Sequence, residues 1–175
     1  FLHTHGSMYR VYNGNLLYHG CVPLNPDGTF ASMEVEGRLV KGRELLDAME
    51  TVVRRAHWAP AHTDEQYEAR DFLWYLWCGS RSPLFGKDRI TTFERYFLAD
   101  KVHHRERYDP YYQHLDNPAV VRRILEAFGL DPDTSYIING HVPVHVREGQ
   151  SPIRGGGHLF VIDGVYYFAT TETDL

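Results

Sequence analysis

The chain has 175 residues, 43% hydrophobic, 14% aromatic and 23% charged, with a formal net charge of −5 and a pI near 6.1. That length suits one domain with a real core, the composition excludes a disordered chain, and the acidic balance gives no basic footprint for nucleic acid. No apolar run approaches the roughly 20 residues that span a bilayer. The only cysteines, Cys21 and Cys78, form neither a CxxC pair nor a disulfide framework, which favours a reducing, cytoplasmic setting. The start at Phe1, with no initiator Met and no charged leader, reads as the interior of a domain and the chain as a fragment. A homo-oligomer is left open.

Two β-prone runs, 8–12 and 16–24, join through Asn13-Gly14, a strong signal for a hairpin with a type I′ turn. Asn25-Pro26-Asp27-Gly28 is a turn, and 29–39 reads as a second hairpin broken at Glu36-Gly37. The period then changes. Leu45, Leu46, Met49, Val52 and Val53 recur at helical spacing, predicting an amphipathic helix over about 43–57. Thr63-Asp64-Glu65-Gln66 opens a second helix running to about residue 77 with a capping box. Its second half, Phe72-Leu73-Trp74-Tyr75-Leu76-Trp77, is apolar nearly all round. Trp74 and Trp77 are read there as core packing rather than as walls of a sugar pocket.

Residues 79–88 form a loop, 93–99 a short helix or strand, and 101–112 an irregular polar and aromatic stretch. His103, His104 and Glu106 in that stretch have ligand-like identities but read as a solvated face. Asn117-Pro118 starts a helix that Gly129 ends. Strands follow at 136–138 and 158–162, and Asp163-Gly164 turns into 165–170 as a further hairpin. Strands, then helices, then strands make an α/β or layered α+β fold.

Two motifs carry chemistry. Tyr18-His19-Gly20 and Asn139-Gly140-His141 each set a histidine beside a glycine after an apolar strand, so the strand holds the imidazole at a sheet edge and glycine permits close approach. His19 and His141 are therefore the candidate metal ligands, converging at an edge where open sheets tend to bind ligands. A dinuclear hydrolytic site also needs bridging carboxylates, and the chain has no Asp-x-His or Gly-Asp-x-x-Asp. Ser7 is excluded as a nucleophile, since no Gly-x-Ser-x-Gly elbow surrounds it.

The segments around these motifs are long and specific. Residues 15–25, Leu73-Trp74-Tyr75-Leu76-Trp77-Cys78-Gly79, Ser82-Pro83-Leu84-Phe85-Gly86-Lys87-Asp88, Thr91-Thr92-Phe93-Glu94-Arg95-Tyr96-Phe97 and residues 137–144 resemble the class III fructose-1,6-bisphosphatases, over about 1–164. The resemblance implies a calcineurin-like metallophosphoesterase: a β-sandwich flanked by helices, present here in part. Residues 1–175 would be the C-terminal portion of its catalytic domain, with a helical insertion at about 43–129 and no second domain. It further implies a dinuclear divalent-metal site, usually manganese, hydrolysing fructose 1,6-bisphosphate in gluconeogenesis by metal-activated water. His19 and His141 match the ligands of the His-Gly and Gly-His motifs. The remaining ligands and the general acid belong to motifs expected upstream of Phe1, so no catalytic residue is assigned here. His145 stands where the family usually has Lys and is set aside as a ligand, and residues after Gly164 depart from the family pattern.

A bisphosphate substrate requires cationic donors. Lys87, Arg89 and Arg95 are the candidates by position, with Arg154 in the 152–157 loop as a fourth. The competing reading pairs the first three with Asp88 and Glu94 as solvated loop charges. Two other functions are weighed. One is a protein serine/threonine phosphatase, which shares the two histidine motifs but which the segments 73–79 and 91–97 argue against. The other is a non-catalytic fragment that keeps only weak metal affinity.

Overall fold

The computed structural model describes residues 2–163. A single helical turn, α1 (Leu2–His5), precedes the hairpin β1 (Tyr9–Tyr12) and β2 (Asn15–Tyr18). Its two turn residues, Asn13 and Gly14, sit at φ 48° and 72°, the double left-handed conformation that matches strand twist in a type I′ turn. A second hairpin, β3 (Ser32–Val35) and β4 (Arg38–Lys41), turns at Glu36 and Gly37, again both at positive φ. The helices follow: α2 (Gly42–Trp58), α3 (Asp64–Cys78), α4 (Thr92–Phe97) and α5 (Pro118–Ala127). The last strands are β5 (Ile137–Asn139), β6 (Ile153–Arg154) and β7 (Leu159–Val161).

Among the described residues the main sheet runs β1-β2-β5-β7-β6, while β3 and β4 pair only with each other. The central pairs β2/β5 and β5/β7 are parallel and the outer pairs antiparallel. Leu16, Ile137 and Leu159 stand in register across the three central strands, and all three are fully buried. This transverse row anchors a core to which α2 contributes Leu45, Leu46, Met49 and Val52, and α5 contributes Val120, Val121, Ile124 and Leu125. Both sets follow the i, i+3, i+4 spacing of one helix face.

Capping explains the helix limits. Thr63 Oγ1 accepts from Gln66 N–H at 3.3 Å, and Gln66 Oε1 accepts in return from His62 N–H at 3.1 Å. The reciprocal bond thus falls one residue earlier than in a standard capping box. Asn117 Oδ1 accepts from Ala119 N–H with Pro118 at the first turn, and Gly129 closes α5 at φ 76°.

Four expectations change. Trp74 and Trp77 are 70% and 72% exposed, whereas Leu76 is 1% exposed. A run of six apolar residues covers more than a full turn, and the buried stripe of α3 passes through Ala69 and Leu76, leaving most of both indoles in solvent. Glu106 does not lie on a solvated face: its side chain is 20% exposed and bonded to Lys87 and Thr91. His104 is also engaged, its Nε2 within 2.8 Å of the Leu98 carbonyl. Within the 152–157 loop, Ile153–Arg154 form β6 against β7, a strand too short to leave a pattern. The hairpin expected at 165–170 lies outside the described residues.

Candidate metal centre

The parallel pairing of β2 with β5 brings His19 and His141 together. Each follows the C-terminal end of its strand, and Leu17 pairs with Ile138 just before them. His19 Nε2 and His141 Nδ1 stand 3.0 Å apart, with ring centroids 4.8 Å apart and planes at 69°. Two hydrogen bonds brace the strand ends: Gly140 N–H donates to His19 O at 2.9 Å, and the Asn139 side-chain Nδ2 donates to Gly20 O at 3.0 Å. His141 itself sits at φ 71°, a region uncommon for a residue with a side chain. Strain of about 1–3 kcal/mol held in this way is typical of functional positions.

Two nitrogen donors at a right angle around an ion, each at the metal–imidazole length of roughly 2.0–2.1 Å, stand about 3 Å apart. The observed separation fits an ion bridging the two rings. Ligation also needs neutral imidazole. Burial holds His19 below the usual histidine pKa, and the neighbouring His141 lowers it further, against an opposing pull from Asp163. Among the described residues no group of three or more His, Cys, Asp or Glu converges. The imidazole pair is thus the candidate donor set among the described residues.

A cavity of about 710 Å³ borders the pair, walled by Val53 of α2, Leu73, Leu76 and Trp77 of α3, and Leu84 and Phe85 of the following loop. Its charged lining is Glu50 and Arg54 of α2, joined in an ion pair at 2.5 Å. Nothing in the residue pattern singles these two out, since i, i+4 charge pairs are ordinary on the polar flank of a helix.

None of the four cations proposed for phosphate lines this cavity. Lys87 Nζ donates to Glu106 Oε2 at 2.9 Å and lies 5.2 Å from the Tyr108 ring centroid. Arg95 donates to Thr91 Oγ1 and to the His104 carbonyl rather than pairing with Glu94. Because Thr91 also bonds Glu106, Lys87 and Arg95 belong to one network. Arg89 lies 3.4 Å from Asp88. Arg154, on β6, pairs with Asp116 at 2.5 Å. His145 is exposed and precedes the short turn Val146–Glu148, its Nδ1 3.7 Å from Glu148 Oε1.

Known proteins resemble this chain over nearly its whole length. The family described as Firmicute fructose-1,6-bisphosphatase matches residues 1–173. A class 3 fructose-1,6-bisphosphatase of Clostridium novyi (strain NT) is 51% identical over 164 residues, 94% of this chain and 25% of the relative. Those of Listeria monocytogenes serotype 4b (strain CLIP80459) and Clostridium botulinum (strain Langeland / NCTC 10281 / Type F) are 51% and 48% identical over the same shares. The chain spans about a quarter of the length of these curated relatives. No solved structure matches. With its family match running nearly end to end, and half its residues shared with three such enzymes, the chain belongs to the Firmicute fructose-1,6-bisphosphatases.

Proposed function

We propose that the parent protein hydrolyses fructose 1,6-bisphosphate to fructose 6-phosphate and phosphate, and that this chain supplies the two nitrogen donors of a dinuclear centre. The observation that carries the proposal is the 3.0 Å approach of His19 Nε2 to His141 Nδ1 in a chain of this family. Bound divalent ions, manganese in our reading, would supply Lewis acidity and an activated water. His19 and His141 would hold one of them. The bridging carboxylates and the general acid belong, on this reading, to motifs not contained in the 175 residues, as does the rest of the β-sandwich. Residues 1–175 are then the C-terminal portion of the catalytic domain.

Lys87, Arg89, Arg95 and Arg154 remain our candidates for the substrate's phosphates. Support is strongest for Lys87 and Arg95, which share one hydrogen-bonded network. A bisphosphate would have to displace their present partners, Glu106 among them. No helix among the described residues is long and apolar enough to cross a membrane, and Cys21 and Cys78 are both free thiols. We place the enzyme in the cytoplasm.

The test is phosphate release from fructose 1,6-bisphosphate by the full-length parent with manganese, beside His19→Ala and His141→Ala variants. Both variants should lose at least a hundredfold in kcat/KM. Wild-type rates in either one would remove the imidazole pair from the centre, and release from a phosphopeptide in place of the sugar would assign a protein phosphatase.

A further inference from the structure

We propose that the loop 82–86 positions the imidazole pair, its Phe85 carbonyl fixing which nitrogen His141 offers to an ion. His141 Nε2 lies 2.7 Å from Phe85 O. A carbonyl oxygen only accepts, so the ring proton sits on Nε2 and the neutral ring keeps its lone pair on Nδ1, the atom that faces His19. The same loop grips the other strand end. Pro83 O accepts from Cys21 N–H at 3.0 Å, and a Cβ on Gly20 would fall well inside contact distance of that oxygen.

The loop is itself held from α3. Ser82 is fully buried. Its Oγ donates to the Leu76 carbonyl at 2.5 Å and accepts from Leu84 N–H at 3.2 Å and Phe85 N–H at 3.4 Å. Gly86, at φ 62°, passes under the Tyr112 hydroxyl, and its carbonyl accepts from Asp109 N–H at 2.9 Å. Five residues thus join α3, both histidine-bearing strand ends and the 109–112 turn. Such partners orient imidazole ligands and set their tautomer.

Proton placement follows. With Nε2–H on His141, the 3.0 Å contact is a hydrogen bond from His19 Nε2–H to His141 Nδ1. To turn both facing nitrogens on an ion, His19 must give up its Nε2 proton and take one on Nδ1, exchanging through water. His141 need change nothing. The ion-facing half of this inference rests on the metal reading above, and the tautomer half does not.

The test is long-range ¹H–¹⁵N NMR of the ¹⁵N-histidine-labelled chain at mildly alkaline pH, without metal and with Zn²⁺ as a diamagnetic probe. Expected is Nε2–H on His141 in both states, and a switch on His19 from Nε2–H to Nδ1–H when zinc is added. Ser82→Ala should mix the His141 tautomers and weaken zinc binding roughly 10–100-fold. His158, whose Nδ1 bonds the Ser135 carbonyl at 3.0 Å, should keep its signature and so reports that the sheet is intact. Nδ1–H or averaged tautomers on wild-type His141 would overturn the proposal, and that reading stands even where Ser82→Ala fails to fold. A folded Ser82→Ala variant with unchanged His141 and zinc affinity would overturn it too. Nε2–H on His141 in a chain that takes up no zinc would support the loop's role and count against the metal reading alone.

Discussion

The Lys87 ammonium and the Glu106 carboxylate meet at 2.9 Å from opposite sides of the 88–105 excursion, and both side chains are mostly buried. The bond from Lys87, with the Thr91 N–H and hydroxyl, holds the Glu106 pKa down from 4.5 to about 2. A carboxyl depressed on folding stabilises fully above its unfolded pKa and loses that contribution as pH falls through the folded value. The window therefore runs from about pH 4.5 down to about pH 2. Glu106→Gln should lower stability by about 1–3 kcal/mol at neutral pH, because Lys87 is left mostly buried without its anion. It should also flatten the acid slope within that window. Urea melts at a series of pH values check both effects.

Leu76 and Trp77 are neighbours with opposite fates, and the larger one matters less to folding. Leu76→Ala should cost about 2–5 kcal/mol, since it removes a fully buried side chain from the core. Trp77→Ala should stay within about 0.5 kcal/mol, as expected for a side chain mostly in solvent. Denaturant midpoints decide the matter. Equal losses would mean that Trp77 is packed after all.

These contrasts show where local chemistry suffices. Asn13-Gly14 and Glu36-Gly37 reveal their hairpins because a tight turn demands left-handed backbone at those very residues. The stripes on α2 and α5 are legible for a similar reason, since burial follows a fixed period. His19 and His141 are legible as a pair through their glycines and preceding strands. Trp77 is not, because hydrophobicity alone cannot say which side of an all-apolar turn meets a partner. Glu106 is misjudged because its two partners, Lys87 and Thr91, come from another segment. The Phe85 carbonyl lies beyond sequence reading altogether, being a backbone atom that every residue carries.

Gly20 and Gly37 separate two meanings of glycine. Gly37 has φ 75° and nothing near its absent Cβ, so Gly37→Ala should cost only the left-handed penalty, about 1–2 kcal/mol. Gly20 needs no left-handed backbone but has the Pro83 carbonyl where a methyl would go. Gly20→Ala must push the 82–86 loop away, breaking the Cys21 N–H bond to Pro83 O, at a cost of about 1–3 kcal/mol. The distinguishing measurement is His141, whose ring resonances should move in Gly20→Ala and stay fixed in Gly37→Ala.

An ion gripped by His19 and His141 binds only where β2 and β5 are paired, so it must stabilise the fold. At a free concentration one hundred times its Kd, a ligand specific for the native state adds about 2.7 kcal/mol. Thermal melts with zinc at that excess should therefore rise in the wild-type chain and return to baseline with a chelator. Removing one of two nitrogen donors leaves the other unable to hold the ion alone. Either His19→Ala or His141→Ala should abolish the rise at the same zinc concentration, while the metal-free melts of all three proteins stay within a few degrees of one another. A rise that persists in both variants would place the stabilising ion elsewhere on the surface and detach the pair from metal binding.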